Sequence, residues 1–280
     1  MGSYKTKKIM TGHYKTFYCE GGEENLETII FLHGSGPGAT SETNWRNILP
    51  ELTDSYHVIA PDMYGFGSTD HPENPPKSFW EWTNCRVEQV LALMDNLKID
   101  KAKLVGNSMG GYVSLNLVMS APERFEKVLL MGSAGGEVSP TPEIGRMIGF
   151  YRNPTHSALE NLTKWFVYDE KSLGEELETV LRERFDMVMR PEIRRSYLSN
   201  MFPMAPGENI IPPSALRRMD QPFLLLHGFE DRFVPKESSL SLLQHLPNAQ
   251  LNLYKSCGHW IQIEKRDSFL KVLNQFFTED

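Results

Sequence analysis

Cysteine is scarce in this sequence: among 280 residues only Cys19, Cys85 and Cys257 occur, an odd number at wide spacing with no C-x-x-C pair. That excludes a disulfide scaffold and leaves no thiolate framework for a metal or redox centre. The three are read as reduced thiols. No apolar run approaches the roughly 20 residues needed to cross a bilayer, and Lys5, Lys7 and Lys8 are followed by no hydrophobic segment of the secretory kind. Blocks of like charge are also missing. Lys and Arg number 29 against 36 Asp and Glu, a net charge of −7 scattered along the chain. Neither nucleic acid nor an anionic membrane is a natural partner for such a chain. The expectation is a soluble, cytoplasmic protein, long enough for one large core plus an insertion.

What the sequence does contain is centred on Leu104-Val105-Gly106-Asn107-Ser108-Met109-Gly110-Gly111. An apolar strand, Lys103 to Val105, runs through G-x-S-x-G into a helix, Met109 to Ser120, that Ala121-Pro122 ends. A serine on so tight a strand-to-helix turn is exposed, and flanking glycines let the turn form. The Met109 N–H then lies at a helix N-terminus, where unpaired N–H groups and the helix dipole favour negative charge. Upstream, the buried strand Thr28 to Leu32 empties into His33-Gly34-Ser35-Gly36-Pro37-Gly38. Such a loop brings backbone, Gly36 included, close to a ligand, and the Ser35 N–H becomes a second oxyanion donor. It is not a P-loop, because the lysine is absent and the spacing is wrong.

Strands and helices alternate through the first half of the chain. Tyr14 to Tyr18 resembles an edge strand closed by Gly21-Gly22, Tyr56 to Ala60 is a further strand, and Lys127 to Met131 another. Val87, Val90, Leu91, Met94 and Leu97 recur at helical spacing. The pattern implies an α/β fold with a mostly parallel sheet flanked by helices. From Gly135 to about Ile210 strands give way to helical runs punctuated by proline. This predicts a helical cap over residues 135–210, inserted in a core of residues 1–134 and 211–280. The cap is rich in aromatic and thioether side chains: Met147, Phe150, Tyr151, Trp165, Phe166, Phe185, Met187, Met189, Met201, Phe202 and Met204. Most serve a small helical core, and a few are placed to roof an apolar pocket. Arg184 stands near Glu183 and Asp186, a setting that usually means an exposed ion pair.

The core resumes with the strand Pro222 to His227, which leads to Gly228-Phe229-Glu230-Asp231, and Leu251 to Tyr254 is the last strand, before Cys257-Gly258-His259-Trp260. The order Ser108, Asp231, His259 is that of a nucleophile–acid–base triad of the α/β-hydrolase type. Glu230 is the rival acid, and Asp62, which precedes the serine, reads as a turn brace. His33 and His227 sit at strand ends as structural histidines, with His245 on an exposed helix end. Trp45 reads as core.

His-Gly-Ser-Gly-Pro-Gly, Gly-Asn-Ser-Met-Gly-Gly, Gly-Phe-Glu-Asp and Cys-Gly-His-Trp occur together, and over nearly its whole length the chain resembles the meta-cleavage-product hydrolases of bacterial aromatic catabolism. The resemblance implies hydrolysis of a carbon–carbon bond in a vinylogous 1,5-diketone acid, through ketonisation and a seryl acyl-enzyme. It also implies a carboxylate-bearing dienoate substrate, with Asn44, Asn107, Arg184 and Trp260 lining the polar half of the site. Arg182 and Arg190 are near enough to leave the arginine's register open, and Glu42 stands where the family often has an aromatic. In this chemistry His259 takes the Ser108 proton, Asp231 fixes its tautomer, and the Ser35 and Met109 N–H groups hold the oxyanion. No metal or organic cofactor is required. An esterase or lactonase would use the same triad without the cap arginine, and a non-catalytic receptor on this fold would not need the triad. The substituent on the substrate's ketone and the oligomeric state, homodimer or higher, are left open by the sequence.

Overall fold

Buried strands of five to seven residues that read as continuous apolar runs need cover on both faces, and the computed structural model supplies it. It describes residues 2–174, 177–201 and 207–279. The strands are β1 (Lys5–Thr11), β2 (Tyr14–Gly21), β3 (Thr28–Leu32), β4 (His57–Pro61), β5 (Ala102–Asn107), β6 (Phe125–Met131), β7 (Phe223–Gly228) and β8 (Ala249–Tyr254). They form one sheet in the order β1-β2-β4-β3-β5-β6-β7-β8, parallel from β4 onward to β8.

The helices are α1 (Ser41–Trp45), α2 (Leu49–Leu52), α3 (Phe79–Asn96), α4 (Met109–Ser120), α5 (Pro142–Ile148), α6 (His156–Trp165), α7 (Leu177–Val188), α8 (Pro191–Met201), α9 (Pro213–Leu216), α10 (Glu237–His245), α11 (Ile261–Glu264) and α12 (Arg266–Thr278). Alternation along β3 shows how they divide. Ile30 and Leu32 join the core that includes Val90 and Met94 of α3 and Val113 of α4. Ile29 and Phe31 join the opposite core, with Trp45, Leu49, Phe269 and Leu273. Trp45 is fully buried there.

The hairpin at the start of the sheet departs from the sequence reading. Tyr14 to Tyr18 is not an edge, because β2 pairs antiparallel with both β1 and β4. The true edge, β1, carries Lys5, Lys7 and Lys8 and is half exposed, so it lacks the apolar signal of a strand; such lysines blunt an edge against further pairing.

Helices α5 to α8 lie between β6 and β7 in the chain. The excursion leaves and returns at one point, where the Ile211 N–H donates to the Gly135 carbonyl at 2.8 Å. Within it, Tyr151 donates to the Val188 carbonyl and Tyr197 to the Met147 carbonyl, each at 2.7 Å. Helix α8 is fastened to the core by Arg86 to Asn200 at 3.1 Å and Trp82 to Ser199 at 3.2 Å. Phe202 and Met204 lie outside the described residues. Among the described residues no helix is long and apolar enough to cross a membrane.

Candidate active site

The sheet's carboxyl edge assembles the site, because β3, β5, β7 and β8 all end there. At the end of β5 the chain turns so sharply that Ser108 adopts φ 56° and ψ −116°, a left-handed backbone that costs a non-glycine residue of order 1–3 kcal/mol. The surroundings hold it there: the Ser108 N–H donates to the Met131 carbonyl at 2.9 Å, and the Ala134 N–H to the Ser108 carbonyl at 3.3 Å. The flanking glycines are required by close approach. A Cβ on Gly106 would lie 2.6 Å from the Gly110 carbonyl oxygen, and one on Gly110 would lie 2.2 Å from that of Leu32.

Asp231, fully buried, accepts from the Phe233 and Val234 N–H groups at 2.8 and 3.0 Å through one oxygen and faces His259 Nδ1 at 2.6 Å through the other. Burial alone would raise its pKa, but the charge of His259 and the hydrogen bonds from His227 and His259 outweigh burial and hold it well below the usual carboxylate range. The bond fixes the proton of His259 on Nδ1 and leaves Nε2 for the serine side. Gly132, at φ +50°, leaves room for this pair, since a Cβ there would come within 3.0 Å of His259 Nδ1. The Ser108 hydroxyl makes no hydrogen bond among the described residues and lines the cleft with His259. Such contacts commonly close only when substrate is bound. Glu230, the rival acid, instead accepts from the Cys257 N–H at 3.1 Å, bracing the histidine loop.

His33, His227 and Asp62 are occupied structurally. His33 faces the Gly34 carbonyl and accepts from the Met63 N–H at 3.0 Å; burial, together with Arg86 and Arg184, pushes its pKa down to about 4, so it is neutral. His227 bridges Ser239 and the Val234 carbonyl at 2.7 and 2.8 Å. Asp62 accepts from Ser41 and from the Ser68 N–H, and burial raises it to about 6.

Two compartments meet at Ser108. One is a narrow polar recess that brings together Ser35, Gly36, Asn44, Asn107, Arg184 and Trp260 with Ser108 and His259. Asn107 is anchored by donating to the Met131 carbonyl at 3.1 Å, while the Asn44 Nδ2 is buried without a partner. Arg184 overturns its exposed ion-pair reading. It is 5 % exposed, its Cζ lies 5.3 Å from the Trp260 ring centre, and its Nε reaches only the Gly38 carbonyl at 3.5 Å. Burial, and secondarily Arg46, push it down to about 10, so it remains a cation facing the cleft at neutral pH. Glu183 is spent on Arg46 at 3.0 Å, and Arg182 and Arg190 are exposed, so of the three arginines Arg184 is the one that turns inward.

The second compartment is an apolar cavity of about 260 Å³ that shares Ser35, Ser108, Ile144, Met147 and Phe233 with the first and adds Met109, Tyr112, Ile148 and Met201. Its lining among the described residues carries no charged side chain. The Ser35 and Met109 N–H groups donate to no protein acceptor among the described residues.

The site roles of three residues are not legible in the sequence, although it places Phe166 in the cap and Gly38 in the glycine loop. Phe166, after α6, stacks between Phe233 at 3.9 Å and Trp260 at 4.5 Å, and its carbonyl accepts the His259 N–H at 2.7 Å. Glu264 accepts from the Gly258, Tyr168 and Asp169 N–H groups, tying the histidine loop to the helical excursion. Gly38 sits at φ +70° with Arg184 packed on it. None of the three carries a periodic signal that would mark it.

Fold, elbow and acid–histidine pair define a serine hydrolase, and the chain belongs to the α/β-hydrolase family, whose model matches residues 29–272. Within that family it is one of the meta-cleavage product hydrolases, which cleave carbon–carbon bonds. The 2-hydroxymuconate semialdehyde hydrolase of Pseudomonas sp. (strain CF600) is 35% identical over 256 residues, 90% of this chain and 87% of that one. The 2-hydroxy-6-oxo-2,4-heptadienoate hydrolase of Pseudomonas putida is 33% identical, covering 98% of this chain and 96% of that one. The solved 2-hydroxy-6-oxo-6-phenylhexa-2,4-dienoate hydrolase of Rhodococcus sp. strain RHA1 superposes with a TM-score of 0.95 at 38% identity, covering all of both chains.

Proposed function

We propose that this hydrolase cleaves a 2-hydroxy-6-oxo-dienoate whose ketone bears a neutral alkyl or aryl group. The observation that carries the reading is the pairing of a cationic recess with an uncharged cavity on either side of Ser108. The carboxylate end belongs beside Arg184, whose planar fork suits it. Asn44 and Asn107 face the dienol, and the ketone substituent enters the apolar cavity. A second carboxylate at that end would meet no cation.

Ketonisation moves the enol proton to carbon. His259 then takes the Ser108 proton, the oxygen attacks the ketone, and the oxyanion is held by the Ser35 and Met109 N–H groups, each donor typically worth about 2.7–4 kcal/mol. The carbon–carbon bond breaks, His259 protonates the leaving carbon, and water attacks the acyl-enzyme, with Asp231 stabilising the imidazolium throughout. In this reading residues 135–210 form the cap that supplies Arg184 and Phe166, and residues 1–134 and 211–280 form the core. Every group the reaction uses comes from one chain, and the three unbridged thiols suit a reducing cytoplasm.

The test is a screen of purified protein against dienoates with methyl, propyl, phenyl and carboxyethyl ketone ends, alongside p-nitrophenyl esters. The neutral dienoates are turned over and the dicarboxylate is the poorest of the four. Fast ester hydrolysis with no dienoate cleavage would return the protein to the esterases.

A further inference from the structure

Behind the polar recess, on the far side of Arg184, Asn44 and Trp260, lies a second chamber of about 100 Å³ with a mixed polar and apolar wall, room for several waters or one short acid. It includes neither Ser108 nor His259, and its wall runs through Thr163, Leu177 and Gln262 out to the exposed Asn47. Among the described residues three of its polar atoms are buried without any partner: Asn44 Nδ2, Thr163 Oγ1 and Gln262 Oε1. Thr163 is 1 % and Gln262 2 % exposed. Two guanidiniums, Arg184 and Arg46, face it, the latter already paired with Glu183. Cation, amide donor and hydroxyl are a carboxylate's partners, while the Gln262 oxygen wants a donor such as a hydroxyl.

We propose that this chamber is a second binding station, for a short 2-hydroxy carboxylate, through which the dienoate product leaves toward solvent. The role rests on the proposed function. Once the carbon–carbon bond is broken, the acyl group on Ser108 still fills the apolar cavity, so the product's free route starts at Arg184. Water for the acyl-enzyme arrives by the same route after the product has gone.

The binding arm titrates the whole protein with glycolate and acetate, followed by ligand-observed NMR. Glycolate binds more tightly than acetate, Gln262→Leu removes that preference, and Thr163→Val weakens both by about tenfold, the worth of one hydrogen bond to a charged group. Unchanged affinities in both folded variants overturn the station, whether or not the protein cleaves dienoates. The kinetic arm narrows the passage with Leu177→Trp: single-turnover cleavage stays within twofold of the parent while steady-state kcat falls severalfold. Equal kcat in a folded Leu177→Trp protein overturns the exit route. Absence of dienoate cleavage in the unmodified protein overturns the proposed function alone, leaving the binding arm to decide the station.

Discussion

At the scale of single residues the protein places charge where stability gains nothing from it. A buried guanidinium without a carboxylate costs desolvation energy that no ion pair repays, and among the described residues Arg184 has no carboxylate partner. Arg184→Gln should therefore lower kcat/KM for dienoates by about ten- to a hundredfold, from a charge-assisted bond worth roughly 1.5–3 kcal/mol, and leave p-nitrophenyl acetate hydrolysis within twofold. Arg184→Lys should recover little, since an ammonium does not reproduce the fork. Arg182→Gln and Arg190→Gln, at exposed positions, serve as controls. Ser108→Ala should abolish turnover of both substrates in a folded protein. Two buried carboxylates impose opposite pH dependences on stability. Asp231 is held below the ordinary range, so its contribution is complete above the unfolded value near about 4 and is lost as pH falls toward the folded one. Asp62 is raised to about 6, so the folded state binds its proton first and stability declines as pH rises from the ordinary carboxylate value to 6. Urea midpoints across the acid range should lose the first slope in Asp231→Asn and the second in Asp62→Asn.

At the scale of elements, the glycine-rich loop after β3 makes room for α7. A Cβ on Gly38 would lie 2.8 Å from the Arg184 carbonyl oxygen, in a backbone that already favours glycine. Gly38→Ala should cost roughly 1–3 kcal/mol in urea unfolding and raise KM for dienoates severalfold, since α7 must retreat with its arginine. Gly145, inside α5, has open space where a Cβ would sit, so Gly145→Ala should stabilise by about 0.4–1 kcal/mol. The elements themselves were legible to different degrees. Helix α4 runs from Met109 to Ser120 as the sequence reading places it, because a strained turn and Ala121-Pro122 mark its ends locally. β1 was not, because an edge strand's lysines hide its alternation. The rank of β2 as an interior strand was lost with it.

For the molecule as a whole, thiol chemistry gives a direct check. Burial raises Cys19 to about 12 and Cys257 further, whereas Cys85 is half-buried. A thiolate reagent should titrate at most one cysteine in the native protein and three after guanidinium unfolding, with no effect of reductant on Tm. Cys19 and Cys257 both lie in the core on one face of the sheet, and the two cores that cover its faces are what the sequence determined. Strands covered on both sides must be apolar throughout, and the G-x-S-x-G turn, the glycine loop and the order Ser108, Asp231, His259 each follow from short stretches whose chemistry is local. Tertiary structure alone decided the rest. Whether Arg184 pairs with its neighbour Glu183 or turns inward depends on α7 meeting Gly38, some 146 positions away. The Phe166 stack, the Glu264 clamp and the division into a cationic recess and an uncharged cavity likewise depend on segments distant in the chain. No local pattern encodes the distance between them, and their packing does.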